Sequence, residues 1–81
     1  MMKTTHPLDS NEKYLLMHGF ICISSMGKMW IWTDLLGNGR DITYVKGRGR
    51  KRTFLIRGSG SDKVHSVEAA VTMSRHLFCT D

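Results

Sequence analysis

Five cationic side chains are concentrated in one segment of seven residues, 46–52, which reads KGRGRKR and is called the basic loop below. The whole chain has 12 Lys and Arg against 7 Asp and Glu, a net charge of +5, so the excess positive charge equals the charge of this one segment. Lysine and arginine at such density favour a polyanionic partner, because cations that replace condensed counterions on a phosphate backbone increase affinity. The composition therefore predicts nucleic-acid binding, with about three to five phosphates neutralised.

The glycines at positions 47 and 49 of the basic loop have no Cβ and let the backbone approach a binding partner closely. We assign the main phosphate contacts to the cations of the basic loop itself. Three further cations are secondary candidates, because turns and strand ends can place them near the loop. The main set is Lys46, Arg48, Arg50, Lys51 and Arg52, and the secondary set is Arg40, Arg57 and Lys63.

Two short patterns indicate DNA in preference to RNA. The unit Arg48-Gly49-Arg50 resembles the centre of an AT-hook, although the prolines that flank that motif are absent here. This resemblance implies contact with the minor groove or the phosphate backbone. The strand-loop-strand-helix order, with a helix that begins SVEAAV, resembles three-stranded DNA-binding domains of the tyrosine-integrase arm type. That second resemblance implies a sheet that faces the major groove.

Two other interpretations of the basic loop stay open. The protein could be a small inhibitor or adaptor that docks the loop in an acidic groove of a protein partner. The loop could also be a passive hairpin tip kept soluble by charge, although like charges at this density repel one another. Binding to nucleic acid differs from both in its linear fall of log affinity with log salt concentration.

Histidines and cysteines form two pairs of zinc-competent residue types, His18-x3-Cys22 and His76-x2-Cys79. A tetrahedral site would require both pairs to converge, and the second pair lies beside the C-terminus. We therefore predict no metal and no other cofactor. A disulfide between the two cysteines is not expected in a reducing compartment.

Catalysis has little support in the sequence. His65 or His76 beside the basic loop could act as a general acid or base, as in small ribonuclease toxins. No paired carboxylates, activated nucleophile or phosphate-cradling glycine motif accompanies them. We therefore predict that the protein is not an enzyme.

The aromatic residues of the central segment point to a core. Trp30 and Trp32 would project from the same side of a strand, with Tyr44 on a neighbouring strand. An exposed cluster of this kind could stack on unpaired bases. A domain this small needs its tryptophans for burial, so the core interpretation is favoured.

The elements that position these residues follow from hydrophobic periodicity and turn residues. Asp9 and Glu12 have the spacing of a capping box before a short helix, and Ser66 is a plausible N-cap for the last helix. The helical face of that last helix comprises Val67, Ala70, Val71, Ser74, Leu77 and Phe78. The predicted helices span about 10–18 and 66–78, and the predicted strands span 20–24, 29–36, 42–45 and 53–57.

The predicted fold class is α+β: a small single domain with a short N-terminal helix, a three- to four-stranded antiparallel meander and a C-terminal helix packed on one face. Residues 1–8 are predicted to form a flexible arm and residues 9–81 the domain. The strand predicted at 20–24 could pair between two copies, so a homodimer stays open.

No continuous apolar run reaches the length of a membrane span, and the N-terminal residues do not resemble a signal peptide. We therefore expect a cytoplasmic location without a membrane partner. The size of the chain suggests an accessory or regulatory factor of the kind that phages and plasmids encode.

Overall fold

The computed structural model describes residues 8–47, 52–58 and 63–79 of the 81-residue chain. In this part of the chain one helix precedes a run of five strands and a second helix follows it. The elements are α1 (Ser10–Met17), β1 (Phe20–Met26), β2 (Met29–Asp34), β3 (Ile42–Lys46), β4 (Arg52–Ile56), β5 (Lys63–Val64) and α2 (Val67–Cys79). The predicted α+β class is confirmed, and the predicted meander gains the two-residue strand β5.

The five strands form one antiparallel sheet in the order in which they occur in the chain. In the β3–β4 hairpin, Ile42 lies opposite Ile56 and Lys46 lies opposite Arg52. The connection between those two strands contains Arg48, Arg50 and Lys51, which lie outside the described residues. The predicted arm at residues 1–8 also lies outside them, apart from Leu8.

One face of the sheet is buried beneath the helices. In β3, β4 and the second half of β2 its side chains alternate with half-buried ones, as the two-residue period of a strand requires, whereas β1 buries only Phe20. The strand residues of this inner face that form the core are Phe20, Trp32, Ile42, Tyr44, Phe54, Ile56 and Val64. Leu15 of α1 and Ala70 of α2 pack against them. The core interpretation is thus confirmed for Trp32 and Tyr44, and Trp30 is partly buried against the same core.

Both helices begin as their sequences predict. The backbone N–H of Glu12 donates to Asp9 Oδ1 at 2.8 Å, and the N–H of Asp9 donates to Glu12 Oε1 at 3.1 Å, which completes the capping box. Ser66 Oγ accepts from the N–H of Ala69 at 3.4 Å before α2. The predicted face of α2 is buried through its first three turns, whereas Phe78 in the last turn is 43% exposed.

Among the described helices, none is long and apolar enough to cross a membrane.

Candidate nucleic-acid interface

One end of the sheet, called the hairpin end below, contains the turn of residues 27–28 between β1 and β2, the last residue of β3 and the first residue of β4. Gly27 has a φ of 61°, which suits the first central position of a two-residue hairpin. The N–H of Lys46 donates to the carbonyl of Lys28 at 2.9 Å and holds the turn of residues 27–28 against the end of β3. Lys28 is exposed there and adds a cation to this end.

Lys28 was absent from the predicted site, although a signal for it exists in the sequence. In a meander, alternate turns lie at the same end of the sheet, so the turn before β2 and the turn before β4 must be neighbours. Lys28 is separated from Lys46 by 18 positions in the chain. Local sequence patterns do not reveal a proximity between residues so far apart in the chain, and the pairing of the strands produces it.

Lys46 is directed towards the helices. Its Nζ lies 3.2 Å from Glu12 Oε1 and 3.5 Å from Asp9 Oδ2, and its side chain is only 20% exposed. The same ammonium group lies 4.6 Å from the centre of the Trp30 ring, a cation–π contact. Lys46 therefore neutralises internal carboxylates and ties β3 to α1, and we leave it out of the phosphate-binding set.

A hydrogen-bond network strengthens this connection between helix and hairpin. Tyr44 Oη donates to Asp9 Oδ2 at 2.8 Å, and Asn11 Nδ2 donates to Tyr44 Oη at 3.0 Å. Burial raises the pKa of Tyr44 to about 12. Burial by itself would raise the pKa of Asp9, but hydrogen bonds from Glu12 and Tyr44 and the charge of Lys46 outweigh it and lower that pKa. Near neutral pH the phenol is uncharged and the carboxylate is charged, so the root of the hairpin is firmly anchored.

The basic loop begins and ends on this anchored hairpin. Arg52 is the first residue of β4, lies opposite Lys46 and is half-buried. Chain continuity requires residues 47–51 to join the neighbouring ends of β3 and β4. Of the predicted main set, Lys46 and Arg52 are described, and only Arg52 stays in the candidate interface.

The secondary candidates are not brought to the hairpin end. Arg57 follows β4 at the other end of the sheet, where its Nη1 lies 3.9 Å from Asp41 Oδ2. The Arg40 guanidinium lies at that other end too, against Gly58. Lys63 pairs with Leu55, one position from the same end. The five residues of β3 separate the two ends by about 13 Å.

The histidine and cysteine pairs do not converge. Among the described residues, no three His, Cys, Asp or Glu side chains are grouped so that they could hold a metal ion. His18 Nδ1 lies 2.9 Å from the carbonyl oxygen of Tyr14. Cys22 and Cys79 are exposed and do not form a disulfide. His65 and His76 are exposed as well.

The sheet face turned away from the core, called the outer face below, carries side chains that are half-buried or exposed in every strand. Its central positions are apolar or threonine: Met29, Ile31, Thr33, Thr43, Val45, Thr53 and Leu55. The outer face borders the hairpin end at the pair of Val45 and Thr53. Comparisons of the chain with family models, with curated proteins and with solved structures returned no match.

Proposed function

We propose that the protein is a small, non-catalytic nucleic-acid-binding protein that grips the phosphates of duplex DNA with the hairpin end of its sheet. The observation that supports this proposal most directly is the strand register, in which Lys46 of β3 lies opposite Arg52 of β4. Residues 47–51 join these two strand ends, and three of these five residues are cationic. Lys28 in the adjacent turn supplements that charge. The proposed contacts are Lys28, Arg48, Arg50, Lys51 and Arg52.

The distribution of carboxylates supports this assignment. Asp9 and Glu12, at the hairpin end, are both within ion-pair distance of Lys46. Asp34 and Asp41 belong to the opposite end of the sheet, at the end of β2 and before β3. Lys46 offsets one of the two negative charges at the hairpin end, and the five cations proposed as phosphate contacts outnumber the remaining one. The resulting excess of positive charge would attract a polyanion and speed its association.

The proposed biological role is that of an accessory or regulatory factor in the cytoplasm. Two exposed thiols in a chain without a disulfide suit a reducing compartment. Duplex DNA is the preferred ligand because the Arg48-Gly49-Arg50 unit suits a narrow minor groove. Nothing in this mechanism requires a catalytic group, since binding alone can block or recruit other factors.

Binding can be measured by fluorescence anisotropy with labelled duplex DNA, single-stranded DNA and RNA across a salt series. We expect duplex DNA to bind most tightly. Log affinity should fall linearly with log salt, with a slope of about −4 to −5 if each of the five proposed cations contacts one phosphate. The absence of binding to all three ligands at about 50 mM salt would show that the proposal is wrong. A pull-down for an acidic protein partner would then be the next experiment.

Charge-removal variants locate the interface. The double variant Arg48→Ala/Arg50→Ala should weaken binding at least tenfold and reduce the salt slope by about 2, and Lys28→Ala should reduce it by about 1. The matched control Arg57→Ala/Lys63→Ala also removes two charges, but away from the hairpin end, and should change affinity by less than about threefold. Thermal unfolding of each variant monitors the fold. An equal loss in the control would contradict the location of the site.

A further inference from the structure

Exposed large apolar side chains are gathered along one edge of the molecule. In the described part of the chain they are Leu16, Met17, Ile23, Met26, Met29, Leu35, Leu36 and Phe78. The first two end α1, which packs on β1, and the next two lie in β1 itself. Met29 pairs with Met26. The N–H of Leu35 donates to the carbonyl of Gly19, just before β1, at 2.9 Å. All of these side chains except Phe78 therefore border β1, and we call these seven the apolar rim.

The strand at the centre of the apolar rim is an edge strand. Of the two edges of the sheet, β5 is two residues long and β1 is seven. Long edges are usually protected by charged side chains or proline. Residues 20–27, FICISSMG, contain neither. A register shift between Cys22 and Ser24 interrupts the ladder with β2, and Ile23 at that shift is 55% exposed.

We propose that a second copy of this chain covers β1 and the apolar rim, and that the two copies are related by a two-fold axis with their β1 strands antiparallel. A two-fold contact of this kind is self-complementary, because the same patch serves on both copies. Association through this edge also ends at a dimer, because each copy has a single long edge strand. The register shift limits the length of continuous backbone pairing, so apolar contacts on both sides of the strand carry much of the interface.

Charge explains why the partner is another copy. Close to a two-fold axis a charged side chain would face the same residue of the other copy, and directly opposed like charges destabilise a strand pair. The uncharged run of residues 20–27 avoids this cost in a chain whose net charge is +5. The exposed surface of the apolar rim is of the same order as the roughly 800 Å² that each partner buries in a standard interface.

The dimer is independent of the nucleic-acid proposal and keeps β3 and β4, which carry the basic loop, away from the interface, whereas the turn of residues 27–28 lies beside the apolar rim. The basic loop connects β3 and β4, and β2 lies between them and β1. Because the two β1 strands are antiparallel, the hairpin ends of the two copies project in opposite directions, and each copy would bind nucleic acid separately. Loss of dimerisation and loss of phosphate binding are therefore separable by different variants.

Sedimentation velocity of the full chain over a series of micromolar concentrations tests the dimer. We expect a species with twice the 9.2 kDa mass of one chain. Ile23→Lys would set two like charges against each other near the axis and should weaken association at least tenfold. Met26→Lys, at a position 69% exposed beside the turn, is the second variant and should act in the same direction. Ala69→Lys, on the exposed start of α2, is the matched control and should leave the dimer intact.

Far-ultraviolet circular dichroism and thermal unfolding establish that each variant is folded. If Ile23→Lys unfolds, Met26→Lys decides the question. A wild-type protein with the mass of one chain at the highest concentration would overturn the proposal. Persistence of the dimer in both folded lysine variants would overturn it too, because the interface would then lie elsewhere.

Discussion

Gly39 is a residue at which the structure allows only hydrogen in place of a side chain. It lies in the connection between β2 and β3, where the chain passes against α2. A Cβ at this position would come within 2.7 Å of Ser74 Oγ and 3.1 Å of Asp34 Oδ2. Ser74 Oγ donates to the carbonyl of Arg40, so it cannot move aside without losing that bond. The close approach of Ser74 and Asp34 to the backbone therefore explains why residue 39 is a glycine.

We expect Gly39→Ala to lower the free energy of unfolding by about 1–3 kcal/mol, the usual cost of overpacking. Urea denaturation measures the change. Asn38→Ala, at an exposed position in the same connection, is the control and should change stability by less than about 0.5 kcal/mol. A similar loss in both variants would mean that the connection as a whole, and not the contact at Gly39, determines the cost.

At the scale of elements, Lys46 joins the central hairpin to α1. Its partner Glu12 has a side chain that is only 1% exposed, and a buried carboxylate without a cation or other compensation is destabilising. Lys46, one of the five cations of the basic loop, thus has a structural role. The root of the hairpin and the start of α1 consequently stabilise each other.

We expect Lys46→Met to lower the free energy of unfolding by about 2 kcal/mol, because it leaves Glu12 buried without its cation. Adding Glu12→Gln should recover about half of that loss, which a double-mutant cycle would measure. Lys28→Met, at the exposed neighbouring turn, is the control for stability. Lys28→Met should weaken DNA binding and Lys46→Met should not, since only Lys28 belongs to the proposed interface. Unchanged stability of Lys46→Met would contradict the structural role.

At the scale of the whole molecule, Asp9 and Tyr44, which share a hydrogen bond, contribute to the dependence of stability on pH. The pKa of Asp9 is lowered from 3.8 in the folded state, so its contribution is present above that value and is lost as pH falls through the lower, folded pKa. The pKa of Tyr44 is raised from 10.0 to about 12, so its contribution is present below pH 10.0 and is lost as pH rises through about 12. Both contributions are complete near neutral pH.

Denaturation across a pH series should therefore reveal a decline below about pH 4 and another above about pH 10. Asp9→Asn keeps an N-cap side chain and should flatten the acid decline, whereas Tyr44→Phe should flatten the alkaline one. Because Tyr44 donates to Asp9 Oδ2, each variant should also reduce the other decline, but by less than the decline of its own group. A wild-type-like acid decline in Asp9→Asn would assign that limb to other carboxylates.

The secondary structure could be read from local patterns. The capping box of Asp9 and Glu12 marks the start of α1. The alternation through 29–34 and the helical spacing of Val67, Ala70 and Val71 indicate which side chains are buried. These patterns depend on neighbours a few positions apart, so the sequence contains them in full. The short strand β5 lacked such a pattern, because two residues are too few to display a period.

The sequence by itself determined the fold class, the position of the basic loop between two strands and the concentration of positive charge in it. Only the tertiary structure decided which cations share one end of the sheet. Antiparallel pairing brought Lys28 beside Lys46 and kept Arg57 at the opposite end. Packing of α1 then matched Lys46 with Glu12. Such outcomes depend on register and on contacts between distant segments, and no local periodicity specifies them.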